Sequence, residues 1–185
     1  MKRKLILIYC FFLMLILSCS KKENTTVSKE LATFSKYDLS FQYPADFPIT
    51  EFGLLSNEAN ETSGLVQAGR QEKDIIMYQV TWIKTEKYDL EKGLEGGFAG
   101  LKNSKGIEKV ARGKREEREL KGHRVLLEDY SVQASTGEKV YGILAGLYCD
   151  KAGRGYVLMT MNSTISKRED VISDFEKFLN SFNCH

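Results

Sequence analysis

Apolar and polar positions along this chain keep a period of two in some stretches and of three to four in others, and the changes of period mark its elements. Tyr37, Leu39, Phe41 and Tyr43 alternate with Asp38, Ser40 and Gln42, and Pro44 ends the run, which predicts a half-buried strand over 37–43. Weaker strand patterns at 51–56 and 65–70 flank a polar loop over 57–64. In the next stretch, 75–84, Ile76, Tyr78, Val80 and Trp82 share one face and Ile75, Met77 and Ile83 the other, so this strand is expected to be central, with both faces covered. The period then lengthens. Leu90, Leu94, Phe98 and Leu101 follow Asp89, a good N-cap, and Gly106 is placed to end the helix. Gly93, Gly96, Gly97 and Gly100 lie inside it, each costing ~1 kcal/mol relative to Ala. Their spacing fits no phosphate-binding loop, and close approach of helix to sheet explains them more simply. Candidate strands at 108–120, 123–133, 139–149 and 156–162, joined by short segments carrying Gly or Asp, read as an antiparallel meander. A capping box at Ser166 and Glu169 then opens a helix whose apolar face is Val171, Ile172, Phe175, Phe178, Leu179 and Phe182.

The amino-terminal pattern is of another kind. Lys2, Arg3 and Lys4 precede an unbroken apolar run over 5–17, 13 residues long, which is signal-peptide length. A membrane-crossing helix needs ~20 apolar residues. Ile16-Leu17-Ser18-Cys19 resembles the lipobox of bacterial lipoproteins, with Leu17 departing from the smaller residue usual at that position. The resemblance implies cleavage before Cys19, a thioether-linked diacylglycerol on its sulfur, and a membrane-anchored lipoprotein of the cell envelope. Ser20, where no Asp stands, resembles the outer-membrane sorting signal of enteric bacteria. A plain secretory peptide is the alternative. The expected organisation is a signal peptide over 1–18, a tether over 19–36 and one domain over 37–185. Within the tether, Val27, Leu31 and Phe34 fall at helical spacing, so a short docked helix is the competing reading.

Charge changes with processing. Removing 18 of 185 residues leaves 167 and takes three of the 27 basic side chains, so 24 remain against 25 acidic ones and the net charge is −1. That balance gives no nucleic-acid footprint. The richest run, between Lys109 and Arg124, mixes Arg112, Arg115 and Arg118 with Glu116, Glu117 and Glu119, as expected of a solvated strand face with cross-strand ion pairs.

Catalytic chemistry is not expected. His123 is the one histidine inside the domain, following a Lys-Gly turn that favours exposure, and no nucleophile elbow, Ser-His-Asp order or Cys-x-x-Cys occurs. Cys149, Cys184 and His185 do not have the spacing of a known zinc module, so no metal and no cofactor is expected. Cys149 and Cys184 are the cysteines left once Cys10 is removed and Cys19 is lipidated. A strand outward by roughly 23 Å and a helix back by roughly 24 Å return Cys184 to the sheet end that holds Cys149. A disulfide is therefore open to them in an oxidising compartment, with two unpaired thiols as the alternative.

The segment from Tyr37 to Phe47, the central helix, the four-strand meander and the closing run Phe175 to Phe182 together resemble PsbP-like domains and the related DcrB-type bacterial lipoproteins. The resemblance implies an α+β fold, an antiparallel β-sheet flanked by helices in an α/β/α sandwich. It also implies a non-catalytic docking or assembly module for a membrane-associated complex, with an envelope protein as partner. A carrier of a small ligand is the alternative, with Trp82, Tyr78, Tyr130 and Tyr141 lining a cleft between sheet and helix.

Overall fold

The computed structural model describes residues 30–71, 75–162 and 167–185. Cys19, the signal peptide and Ser166 of the expected capping box lie outside the described residues. Among those described, no helix is long and apolar enough to cross a membrane.

Two antiparallel sheets and two helices make up the domain. Strands β1 (Leu31–Lys36), β2 (Leu39–Pro44) and β10 (Asn183–Cys184) form a small sheet in the order β1-β2-β10. The large sheet comprises β3 (Ile49–Phe52), β4 (Ser63–Gln71), β5 (Ile75–Lys84), β6 (Ile107–Leu120), β7 (His123–Ala134), β8 (Lys139–Cys149) and β9 (Arg154–Asn162). Its order is β3-β4-β5-β9-β8-β7-β6, so β5, arriving before the meander, pairs with the last strand of it. Helices α1 (Leu90–Asn103) and α2 (Arg168–Ser181) lie on opposite faces.

Period-two alternation sorts the side chains between two cores. Val125 and Leu127 of β7 and Ile143, Ala145 and Leu147 of β8 join Tyr78, Val80 and Trp82 of β5 beneath α2 and the small sheet, with Phe175, Phe178 and Phe182 closing over them. Leu126, Tyr130, Leu144, Met159 and Met161 point the other way, against Leu90, Leu94, Phe98 and Leu101 of α1. Asp89 caps α1, its Oδ1 accepting from the Lys92 amide at 3.1 Å. A Cβ on Gly97 would come within 2.6 Å of Leu144 Cδ2, which is the close approach expected of a helical glycine on a sheet. Gly96 meets nothing within 4 Å, and nothing in the structure explains it.

Three boundaries differ from the sequence reading. The last residues of the expected tether, Leu31–Lys36, are a strand rather than linker or helix, paired along their length with Leu39–Pro44. Phe34, counted there as one position of a helical face, is buried on Phe41 at 5.2 Å between ring centroids. Tyr37 and Asp38 do not extend the strand. They are the two central residues of the β1–β2 hairpin turn, with φ of 57° and 54°, as a type I′ turn requires. Alternation cannot reveal such a turn when Tyr and Asp stand where Asn and Gly are usual. At the carboxyl end, Lys167 occupies the N-cap of α2 without a side-chain bond, its carbonyl accepting from Asp170 and Val171.

Candidate functional site

The charged run on β6 becomes a built network through a bulge. Arg112 pairs with Tyr130 and Arg115 with Glu128, so Gly113 and Lys114 oppose the single residue Asp129. One extra residue resets the alternation, and both arginines reach the face covered by α1. Arg112 donates to Glu128 at 2.5 and 2.7 Å and to both oxygens of Glu95 at 2.8 Å. Arg115 donates to Glu128 at 3.1 Å, and to Glu95 and Glu91. The Arg112 guanidinium also lies 4.0 Å from the Phe98 ring centroid. Burial alone would push the Glu128 carboxyl up, but the bonds from Arg112 and Arg115 outweigh it and hold the group below the ordinary carboxylate range. Arg112, with Arg115 beside it, brings Glu95 down to about 2. Every charge here faces an opposite one, so the network clamps α1 to the sheet. Farther along, Arg124 pairs with Glu117 across the β6–β7 hairpin and Arg118 reaches Glu176 on α2.

Polar chemistry without complete pairing gathers at the opposite end, where β7 begins, β8 ends and the carboxyl terminus returns. The β6–β7 hairpin turns through Lys121 and Gly122, with φ of 50° and 84°, and delivers His123 as the first residue of β7. Cys149 closes β8, and Cys184 pairs with Leu39. The structure bonds Cys149 to Cys184 with their Cα atoms 6.4 Å apart. Beside this bond a pocket of about 490 Å³ is lined by Lys121, His123, Asp150, Lys151, Asn183 and Cys184 among others. Lys121 Nζ is committed to the Phe182 carbonyl at 2.9 Å and to Asn183 Oδ1 at 2.7 Å, which fixes the chain entering β10.

His123 is half-buried rather than exposed as its turn suggested. Its Nε2 lies 3.7 Å from Cys184 Sγ, and its Nδ1 is buried with no hydrogen-bond partner. One ligand atom from each of His123, Cys149 and Cys184 falls within a 4.8 Å span. His185, the histidine first considered beside the cysteines, lies elsewhere: its amide donates to the Asp38 carbonyl at 2.9 Å and its ring faces Ser40 Oγ at 3.4 Å. The β7–β8 register brings Cys149, 26 positions away, beside His123, and the return of the chain onto β2 brings Cys184, 61 positions away.

Arg154, at the start of β9 opposite Cys149, is 1% exposed. It donates to the Tyr37 carbonyl and, at 3.2 Å, to Asp38, supporting the hairpin turn whose positive φ values carry strain. The turn is gripped from outside as well. Tyr37 stacks on Trp82 at 5.2 Å and donates to Glu51 at 2.6 Å, which pushes its phenol up to about 12.

The aromatics considered as ligand lining are packed. Tyr78, Tyr130 and Trp82 are buried in the two cores, and Trp82 Nε1 donates to the Asn60 carbonyl at 2.9 Å. Tyr141 is half-buried beneath Lys139, whose Nζ is 4.9 Å from the ring centroid.

No family model matches this chain, and no curated protein matches it in sequence. Solved structures do match in fold. The Ran-binding protein Mog1p of Saccharomyces cerevisiae is 12% identical, with a TM-score of 0.55, over 85% of this chain and 96% of its own. Cyanobacterial PsbP (CyanoP) from Synechocystis sp. PCC 6803 is 14% identical, with a TM-score of 0.54, over 92% of this chain and 99% of its own. The chain thus has an α+β fold of the PsbP and Mog1 type, and at these identities the likeness concerns the fold alone.

Proposed function

We propose that this chain is a lipid-anchored, non-catalytic domain of the cell envelope that docks on a membrane-associated protein complex. The anchor rests on the apolar run ending at Ile16-Leu17-Ser18-Cys19. The observation that favours docking over carriage is the packing of Trp82, Tyr78 and Tyr130. A carrier with a cleft between sheet and helix needs aromatics turned into that cleft, whereas these are spent on the cores. Mog1p, a Ran-binding protein, is an instance of this fold in a protein-binding role. Crosslinking of the full chain in its native membrane, read by mass spectrometry, tests the proposal. Recovery of the same protein partner in replicate preparations is expected, and a co-purifying small molecule with no protein partner would overturn it in favour of the carrier.

Attachment is tested separately. Cys19→Ala is expected to leave an unprocessed chain that retains the apolar run over 5–17 and takes up no labelled palmitate. Unchanged labelling would refute lipidation at Cys19.

A further inference from the structure

We propose that the sheet end around His123 is a redox-gated binding site for a thiophilic cation such as Zn(II), formed by His123 Nε2, Cys149 Sγ and Cys184 Sγ when the disulfide is open. Three observations meet there. The ligand atoms already lie within 4.8 Å of one another. Tetrahedral zinc holds its sulfur and nitrogen ligands about 3.5 to 3.8 Å apart, and His123 Nε2 stands 3.7 Å from Cys184 Sγ. The site also opens on the 490 Å³ pocket, which leaves the fourth coordination position to water, in the manner of zinc sites that keep an open position. His123 is half-buried with Nε2, rather than Nδ1, turned toward Cys184 Sγ, so Nε2 is the ring nitrogen that a cation between the imidazole and the sulfurs would meet.

A dithiol reductant gates the site. One thiolate of the reductant attacks a protein sulfur, the Cys149–Cys184 bond breaks, and the second reductant thiol displaces the mixed disulfide and closes its own ring. Two electrons and two protons pass to the protein, leaving two thiols. Binding of the cation then releases one proton from each thiol, while His123 binds as the neutral imidazole. The sulfurs need only separate from bonding distance to a tetrahedral edge. Cys184 sits on a two-residue strand at the chain end, so that adjustment falls on a short element rather than on the seven-stranded sheet.

The test uses the full chain in detergent, reduced with dithiol, freed of reductant under anaerobic conditions and titrated with Co(II). Uptake of about one equivalent with thiolate-to-cobalt charge-transfer absorption, displaced by Zn(II), is expected for the reduced chain and no absorption for the oxidised one. His123→Gln keeps the disulfide and, as the loss of a direct ligand, should weaken the affinity by at least the roughly 10–100-fold that losing an outer-shell partner costs, and Cys184→Ser should abolish the band. No band in the reduced wild type, equal affinity in His123→Gln, or a band surviving Cys184→Ser would each overturn the site. Should reduction unfold the chain, Zn(II) is expected to restore its circular dichroism in the wild type and not in His123→Gln. Failure to restore it in the wild type overturns the proposal equally.

Discussion

At the scale of single residues, the fold depends on positions that a reading of periods passes over. Gly64 is one. A Cβ there would stand 2.4 Å from Trp82 Cζ2, and the ring is held in place by the bond of Nε1 to the Asn60 carbonyl and by the stack of Tyr37 on it. Overpacking of this kind costs about 1–3 kcal/mol. Gly64→Ala is therefore expected to lower the denaturant midpoint by an amount equivalent to about 2 kcal/mol, with a change in near-UV circular dichroism from Trp82. An unchanged midpoint would mean that the indole is not wedged. The strand patterns on either side, at 65–70 and 75–84, were legible as alternation. Their contact through one glycine was not, since it depends on which strands pair.

At the scale of elements, the bulge in β6 decides how α1 is held. Arg112 and Arg115, three positions apart, belong to opposite faces of a regular strand, so the sequence suggests a solvated stripe. The extra residue at Gly113–Lys114 puts both over Glu128 and joins them to Glu91 and Glu95 of α1. Mixed charge and ion pairing were thus readable, while the clamp needed the register. Glu128 and Glu95 have carboxyls held below their unfolded range, so their contribution is present above about pH 4.3 and is lost as pH falls through the folded values, near 2 for Glu95. Acid unfolding is expected to steepen between these limits. Arg112→Ala should cost about 2 kcal/mol at pH 7, the bond from Arg115 persisting, and should flatten the acid dependence measured by urea titration across that window. A wild-type slope in the variant would assign the acid sensitivity elsewhere.

Across the whole molecule, the closing of the fold falls to the carboxyl end. Phe182 packs on Tyr156 at 5.1 Å, Cys184 pairs with Leu39, and the disulfide joins this tail to β8. The bond spans a sequence separation of 35, a loop for which chain entropy predicts about 3–4 kcal/mol. Cys184→Ser is expected to lower unfolding free energy by that amount while α1 and its core keep their structure. Loss of the far-UV signal at 25 °C would show instead that the fold cannot stand without the bond. Helix positions and the meander could be reasoned from periods, and the nearness of the two cysteines from path lengths, with a disulfide and two free thiols both left open. The small sheet could not, because β10 reaches β2 from far along the sequence and the β1–β2 turn is made by Tyr37 and Asp38, which alternation reads as strand.

That small sheet has a mechanical consequence. Leu31 faces Pro44 at the outer end of the β1–β2 hairpin, and the turn lies at the far end. A pull on the chain ahead of Leu31 that draws β1 outward meets the pairs in series, Leu31–Pro44 first and Lys36–Leu39 last. Such peeling opens one rung at a time at low load, unlike shear, which strains all rungs together. Six residues would then pay out roughly 20 Å of slack before load reaches β2, which is stapled to the covalently closed end of the domain. Stretching by optical tweezers from an amino-terminal handle should show that short early extension, with the bulk of the domain yielding only at higher force. β1 would serve as a give-way link, sparing the rest of the structure when the chain ahead of Leu31 is tugged.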